Sequence, residues 1–127
     1  MHELSITEEI LRIVTTHAQQ AGVARVTDIY LVIGDLTSFI DDSIQFYFEL
    51  LSPGTLAEGA ALHFRRIKTR FRCRRCGQEF EPEGHNWTCP ACGALGGDVT
   101  AGKEFYVESI EVIDKITGTE EAALGDR

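Results

Sequence analysis

A chain of 127 residues, 43% hydrophobic and 25% charged, can hold one ordinary core plus a small extra module, and no apolar run approaches the length that spans a bilayer. The net charge of −8 is unevenly spread, because seven of the twelve basic residues lie between Arg65 and Arg75, leaving five against twenty acids elsewhere. Such a body repels phosphate and argues against a general nucleic-acid binder. The opening Met-His-Glu-Leu-Ser lacks the basic and apolar regions of a secretory leader, so a cytoplasmic protein with reduced thiols is expected.

In chain order, Ser5 to Ala21 has the spacing of an amphipathic helix, with Ile6, Ile10, Ile13, Val14, His17 and Ala21 on one face. Ser5 and Glu8 form a capping-box pattern and Gly22 supplies the stop. Val26 to Ile33 is a β-branched and aromatic run suited to a buried strand that ends at Gly34. Asp41 or Asp42 caps a second helix, Ser43 to Leu51, with Ile44, Phe48 and Leu51 inward and Pro53-Gly54 as the break. Ala60 to Phe71 then alternates as one long strand, carrying Arg66, Lys68, Arg70 and Arg72 on one face. A final strand, Glu104 to Ile113, changes apolar phase between Val107 and Ile110, which points to a bulge or to a strand passing from one module into another's sheet; we favour the second.

All four cysteines lie between these last two strands, as Cys73-Arg-Arg-Cys76-Gly and Cys89-Pro-Ala-Cys92-Gly, with twelve residues separating Cys76 from Cys89. A two-residue gap turns both sulfurs of a pair inward, so two such pairs can converge on one tetrahedral ion. Four thiolates suit zinc or iron. The second pair resembles a rubredoxin knuckle, which keeps a one-iron electron carrier in contention, while the short gap favours a zinc ribbon. A four-cysteine zinc site has no open position and is structural. The expected fold is therefore α+β: two helices packed on a small mixed β-sheet, residues 1–69 and 104–114, with an inserted four-cysteine zinc-ribbon domain at 70–103 and a flexible tail at 115–127.

No Gly-rich phosphate loop, HExxH pair or GxSxG elbow is present, so an enzyme is not expected. The N-terminus offers different chemistry. The α-amine of Met1, the backbone nitrogen of His2 and a ring nitrogen of His2 close two fused chelate rings, a tetragonal nitrogen set that suits Ni(II) or Cu(II). His2 taken alone reads as a solvated residue at the start of the chain; the helix beginning a few residues later shifts the balance toward an anchored terminus.

The N-terminal Met-His-Glu, the aromatic helix Phe46-Tyr-Phe-Glu-Leu50, the segment Thr55-Leu-Ala-Glu-Gly59 and the two cysteine pairs together resemble the HypA/HybF family of hydrogenase nickel-incorporation proteins, over residues 1 to 114. The resemblance implies a nickel metallochaperone with transient Ni(II) at His2, the Met1 amine as co-ligand and Glu3 close by. It implies structural Zn(II) at Cys73, Cys76, Cys89 and Cys92. His85 and Asp42 are candidates near the nickel site, although Asp42 is equally a helix cap. The implied partners are a HypB-type nickel GTPase, the large subunit of [NiFe] hydrogenase and, for some members, urease maturation proteins; neither nucleic acid nor a membrane span is implied. The competing class is a zinc-ribbon module that binds nucleic acid or protein through residues 65–75.

Overall fold

The computed structural model describes residues 2–84, 86–115 and 119–123. Among these the elements run α1 (His2–Ala21), β1 (Arg25–Gly34), α2 (Asp41–Leu51), β2 (Ala61–Ile67), β3 (Arg70–Arg72), β4 (Glu79–Phe80), β5 (Asp98–Ala101), β6 (Phe105–Ile113) and β7 (Thr119–Ala123). They form a four-stranded sheet, ordered β2-β1-β6-β7, and a three-stranded sheet, ordered β4-β3-β5, which is the expected α+β class. The chain divides into two compact units, one of Met1–Val32, Phe39–Arg65 and Tyr106–Arg127, the other of Ile33–Ser38 and Arg66–Phe105. The second unit thus takes in residues 33–38 as well as 66–69 and 104–105, all outside the insertion anticipated at 70–103. Backbone bonds give the reason: Asp35 N–H donates to the Ile67 carbonyl at 2.9 Å and Leu36 N–H to that of Gly102 at 2.8 Å.

In the helical unit, α1 buries Thr7, Ile10, Val14 and Ala18, a three- and four-residue stripe, while Ala21 is exposed. The helix begins at His2, so Ser5 lies within it and the anticipated capping box does not form. At the other end Gly22, with φ of 69°, stops the helix as expected. Its N–H donates to the Gln19 carbonyl and that of Val23 to the Ala18 carbonyl, the two bonds of a Schellman turn. Helix α2 starts at Asp41 with Ile40 as an extended N-cap that makes no side-chain cap, so neither Asp41 nor Asp42 caps it; both occupy the first turn, where negative charge suits the helix dipole. Ile44 and Phe48 are its buried residues, as expected, while Leu51, also expected inward, is half-buried. α1 and α2 pack on one another, and Ile29 and Leu31 of β1 with Val107, Ile110 and Val112 of β6 complete the apolar core.

Three strand expectations need correction. The run from Ala60 to Phe71 is not one strand: it breaks at Lys68 and Thr69, so that β2 belongs to the four-stranded sheet and β3 to the three-stranded one. The apolar phase change lies inside β6, which stays in a single sheet; the passage between sheets occurs earlier, between β5 and β6. Residues 119–123, assigned to a flexible tail, form β7 and pair antiparallel with β6 from Ser109↔Ala123 to Ile113↔Thr119. Backbone pairing on a sheet edge needs no apolar signature, which is why this polar segment gave none. The rest of that anticipated tail beyond Lys115, residues 116–118 and 124–127, lies outside the described residues.

In the second unit β3 pairs antiparallel with β4 (Phe71↔Phe80) and with β5 (Phe71↔Val99). Phe71, Phe80, Cys73 and Cys89 form its small core, with Trp87 tilted on Phe71 at 5.3 Å between ring centres. Gly97 lets the chain pass close to β3, since a Cβ there would collide with the carbonyl of Arg72 and press on Cys73 Cα. Gly97→Ala is expected to destabilise this unit by about 1–3 kcal/mol, the usual scale of overpacking. Trp87 is the sole tryptophan of the chain, so its fluorescence during denaturant unfolding reads the change; an unaltered midpoint would mean that β3 gives way to the methyl group.

Candidate metal centre

The two cysteine pairs sit in matching turns. In the first, Cys73 N–H donates to the Gln78 carbonyl and Gly77 N–H to the Cys73 carbonyl, both at 2.9 Å. In the second, Cys89 N–H donates to the Ala94 carbonyl at 2.8 Å and Gly93 N–H to the Cys89 carbonyl at 2.9 Å. Gly77 and Gly93 have φ of 79° and 81°, a left-handed geometry that disfavours other residues, and this is why each pair is followed by glycine. Gln78 and Ala94, whose carbonyls close the turns, carry no sequence signal because any residue offers a carbonyl.

The turns bring all four sulfurs within 4.8 Å of one another. Cys73 Sγ lies 3.5 Å from Cys92 Sγ, and Cys76 Sγ 3.7 Å from Cys89 Sγ. A tetrahedral ion with metal–sulfur bonds of about 2.3 Å has sulfur edges of about 3.8 Å, so the donor set fits such an ion. Cys73 and Cys89 are buried, Cys92 half-buried and Cys76 exposed. The backbone N–H groups of Cys76 and Arg75 point at Cys73 and, outweighing burial, hold its thiol down at about 6. At Cys76 the Gln78 N–H favours the thiolate, but desolvation and the neighbouring sulfurs push the thiol up to about 11. Crowded thiolates repel one another, and a bound cation relieves that repulsion with release of protons.

Of the N-terminal candidates, Met1 and the side chain of His2 lie outside the described residues, as does His85. What is described is that α1 begins at His2 with Glu3 in its first turn. Glu3 Oε2 accepts the Ile40 N–H at 3.3 Å, a link across 37 positions between the first turn of α1 and the N-cap of α2 that sequence spacing had no means of revealing. Asp42 is exposed in the first turn of α2.

His63 and most of the basic stretch have local partners. His63 Nε2 lies 2.7 Å from Asp28 Oδ2 and its ring stacks on Tyr30 at 4.5 Å, which makes it a structural histidine. That bond, with a second from Thr27, lowers the Asp28 pKa. Arg65 pairs with Glu108, Arg66 with Asp35, Arg70 with Glu79 and Glu81, Arg72 with Glu79, and Arg74 with Asp98. Exposed pairs of this kind contribute little stability, but they engage five of the seven cations in the stripe that a nucleic-acid reading requires to be free. Among the described residues no helix is long and apolar enough to cross a membrane.

Residues 1–112 match the family model described as "HypA: Hydrogenase/urease nickel incorporation, metallochaperone, hypA". The chain is similar to the hydrogenase maturation factor HypA of Dehalococcoides mccartyi strain 195, at 45% identity over 91% of this chain and 97% of that protein. It is also similar to that of Caldanaerobacter subterraneus, at 42% identity over 88% and 99%. Among solved structures, the solution structure of the Ni metallochaperone HypA from Helicobacter pylori shares the fold with a TM-score of 0.62 at 20% identity, covering 89% of this chain and 98% of that one. A second solution structure of a HypA protein gives 0.67 at 21%, over 88% and 96%. With its four-cysteine centre and its match over residues 1–112, the chain belongs to the HypA family of hydrogenase/urease nickel-incorporation metallochaperones, maturation factors and not enzymes.

Proposed function

We propose that this protein binds Ni(II) through the Met1 amine and His2 and, working in the cytoplasm with a HypB-type nickel GTPase, delivers it to the large subunit of [NiFe] hydrogenase. Because the family description also names urease nickel incorporation, we propose urease maturation proteins as a further class of recipient. The observation that carries the nickel site is the start of α1 at His2. The first N–H groups of a helix have no intrahelical acceptor, so deprotonating the His2 amide for a metal breaks no helical bond. The positive end of the helix dipole opposes a cation there, and the carboxylate of Glu3 together with the amidate itself offsets it. Glu3 accordingly acts beside the ion, with one oxygen already accepting the Ile40 N–H.

The four thiolates would hold Zn(II), which when bound supplies a structural staple to the second unit and no open position for chemistry. Cys73, Cys76, Cys89 and Cys92 converge; the Gly77 and Gly93 turns hold them in place. The two sites then have opposite characters, a closed cage that retains its ion and a half-open plane that can release one, as a donor of nickel requires.

The test uses untagged protein beside a variant with two residues added before Met1, which turns the amine into an amide. Metal analysis of the untagged protein is expected to find colourless protein with about one zinc per chain, the stoichiometry of a four-ligand site. Nickel titration is expected to show binding to the untagged protein and its loss in the extended one. Full nickel affinity in the extended chain would remove the amine from the ligand set, and red protein would assign iron to the thiolates.

A further inference from the structure

Helix α2 is apolar on two opposite faces. Ile44 and Phe48 point inward and are fully buried, whereas Phe46 and Leu50, also four residues apart, stand outward at 61% and 63% exposure. Phe46 meets the neighbouring Tyr47 ring edge-on at 5.4 Å. Two large apolar side chains stacked on an exposed helical stripe are a cost to a free monomer in water, and aromatic residues so placed are the usual anchors of protein interfaces. The stripe is flanked by acids: Asp42 precedes Phe46 by one turn, Glu49 stands beside Leu50, and a groove of about 400 Å³ alongside the helix is lined by Gln45, Glu49, Pro53 and Glu58.

Charge identifies what covers this face. The helical unit carries five basic residues against fourteen acidic, net −9, while the second unit carries seven against six, net +1. A second copy of the chain would bring the same acids to the same stripe, and five arginines of its basic stretch are already paired with carboxylates of the chain itself. Nucleic acid would bring phosphate to an acidic rim. We propose that the outer face of α2, centred on Phe46 and Leu50, docks a partner protein that offers an apolar pocket bordered by lysines or arginines. The N-cap N–H of this helix donates to Glu3, so the docking face and the first turn of α1 share one hydrogen-bonded frame. Resting on the proposed nickel-donor role, the partner is the GTPase that takes part in nickel transfer.

Isothermal titration of the purified cognate GTPase tests this, using the full chain, its Phe46→Ser/Leu50→Ser variant and a Glu49→Lys variant. The double variant is expected to bind at least about tenfold more weakly, the scale of an interface anchor. Glu49→Lys is expected to weaken binding with no loss of apolar surface, and wild-type affinity to fall as salt is raised. Parallel nickel titration is expected to be unchanged in both variants, which separates a docking defect from failure of the nickel site itself. Wild-type affinity in both variants would overturn the proposal. So would a wild-type chain that binds nickel but not the GTPase.

Discussion

Replacing His2 with Gln is expected to abolish measurable nickel binding while leaving zinc content and fold unchanged. The substitution removes one of the three nitrogens of the proposed site and with it the second chelate ring, leaving an amine and an amide that has little reason to deprotonate. Losing a partner one shell away from a metal typically costs about 10–100-fold in affinity, so losing the ligand itself should exceed that. The fold should be indifferent, because the buried stripe of α1 starts at Thr7 and continues through Ile10, Val14 and Ala18. Nickel titration with circular dichroism and zinc analysis on one preparation checks all three points. A His2→Gln protein with wild-type nickel affinity would move the site elsewhere in the chain.

Cys89→Ser is expected to release the metal of the second unit and unfold it, while the helical unit survives. Structural zinc in small modules contributes about 10–16 kcal/mol of apparent binding free energy, and in such modules binding and folding are one event. The local core cannot stand in for it: Phe71 and Phe80 are its only fully apolar buried side chains among the described residues, and the others are cysteines. Cys89 is 1% exposed, so the serine hydroxyl would also enter an apolar setting. Hydrogen exchange should show loss of protection at Phe71, Phe80 and Val99 with protection at Ile10 and Val14 retained. Retained protection at Phe71 in metal-free protein would show that the unit folds on packing alone. A nickel titration of the same variant tells whether the N-terminal site depends on the folded state of the second unit.

What was legible in the sequence follows the range of the interaction involved. The cysteine centre was plain because thiolate spacing and the glycine after each pair are local requirements of the turn. The stop of α1 at Gly22 was equally local, and so was the inner face of α2. Local rules also misled: Ser5 and Glu8 satisfy the capping-box pattern, yet α1 starts three residues earlier at His2. Arg66, Lys68, Arg70 and Arg72 keep strict alternation across the break between β2 and β3, so periodicity concealed a change of sheet. The link from Glu3 to Ile40, the pairing of β7 and the neutralisation of the basic stretch all join positions distant in sequence, where patterning is silent.

The charge partition has a consequence for the cargo. A hydrated dication feels the whole molecule before it meets any ligand, and here the field is one-sided, gathered on the unit that carries His2. Within a Debye length, about 8 Å at physiological salt, that unit raises the local concentration of metal ions and hastens their arrival. The field draws every divalent cation alike. Discrimination would then fall to the last few ångströms, where the three nitrogens proposed at Met1 and His2 suit nickel or copper and leave magnesium and calcium in water.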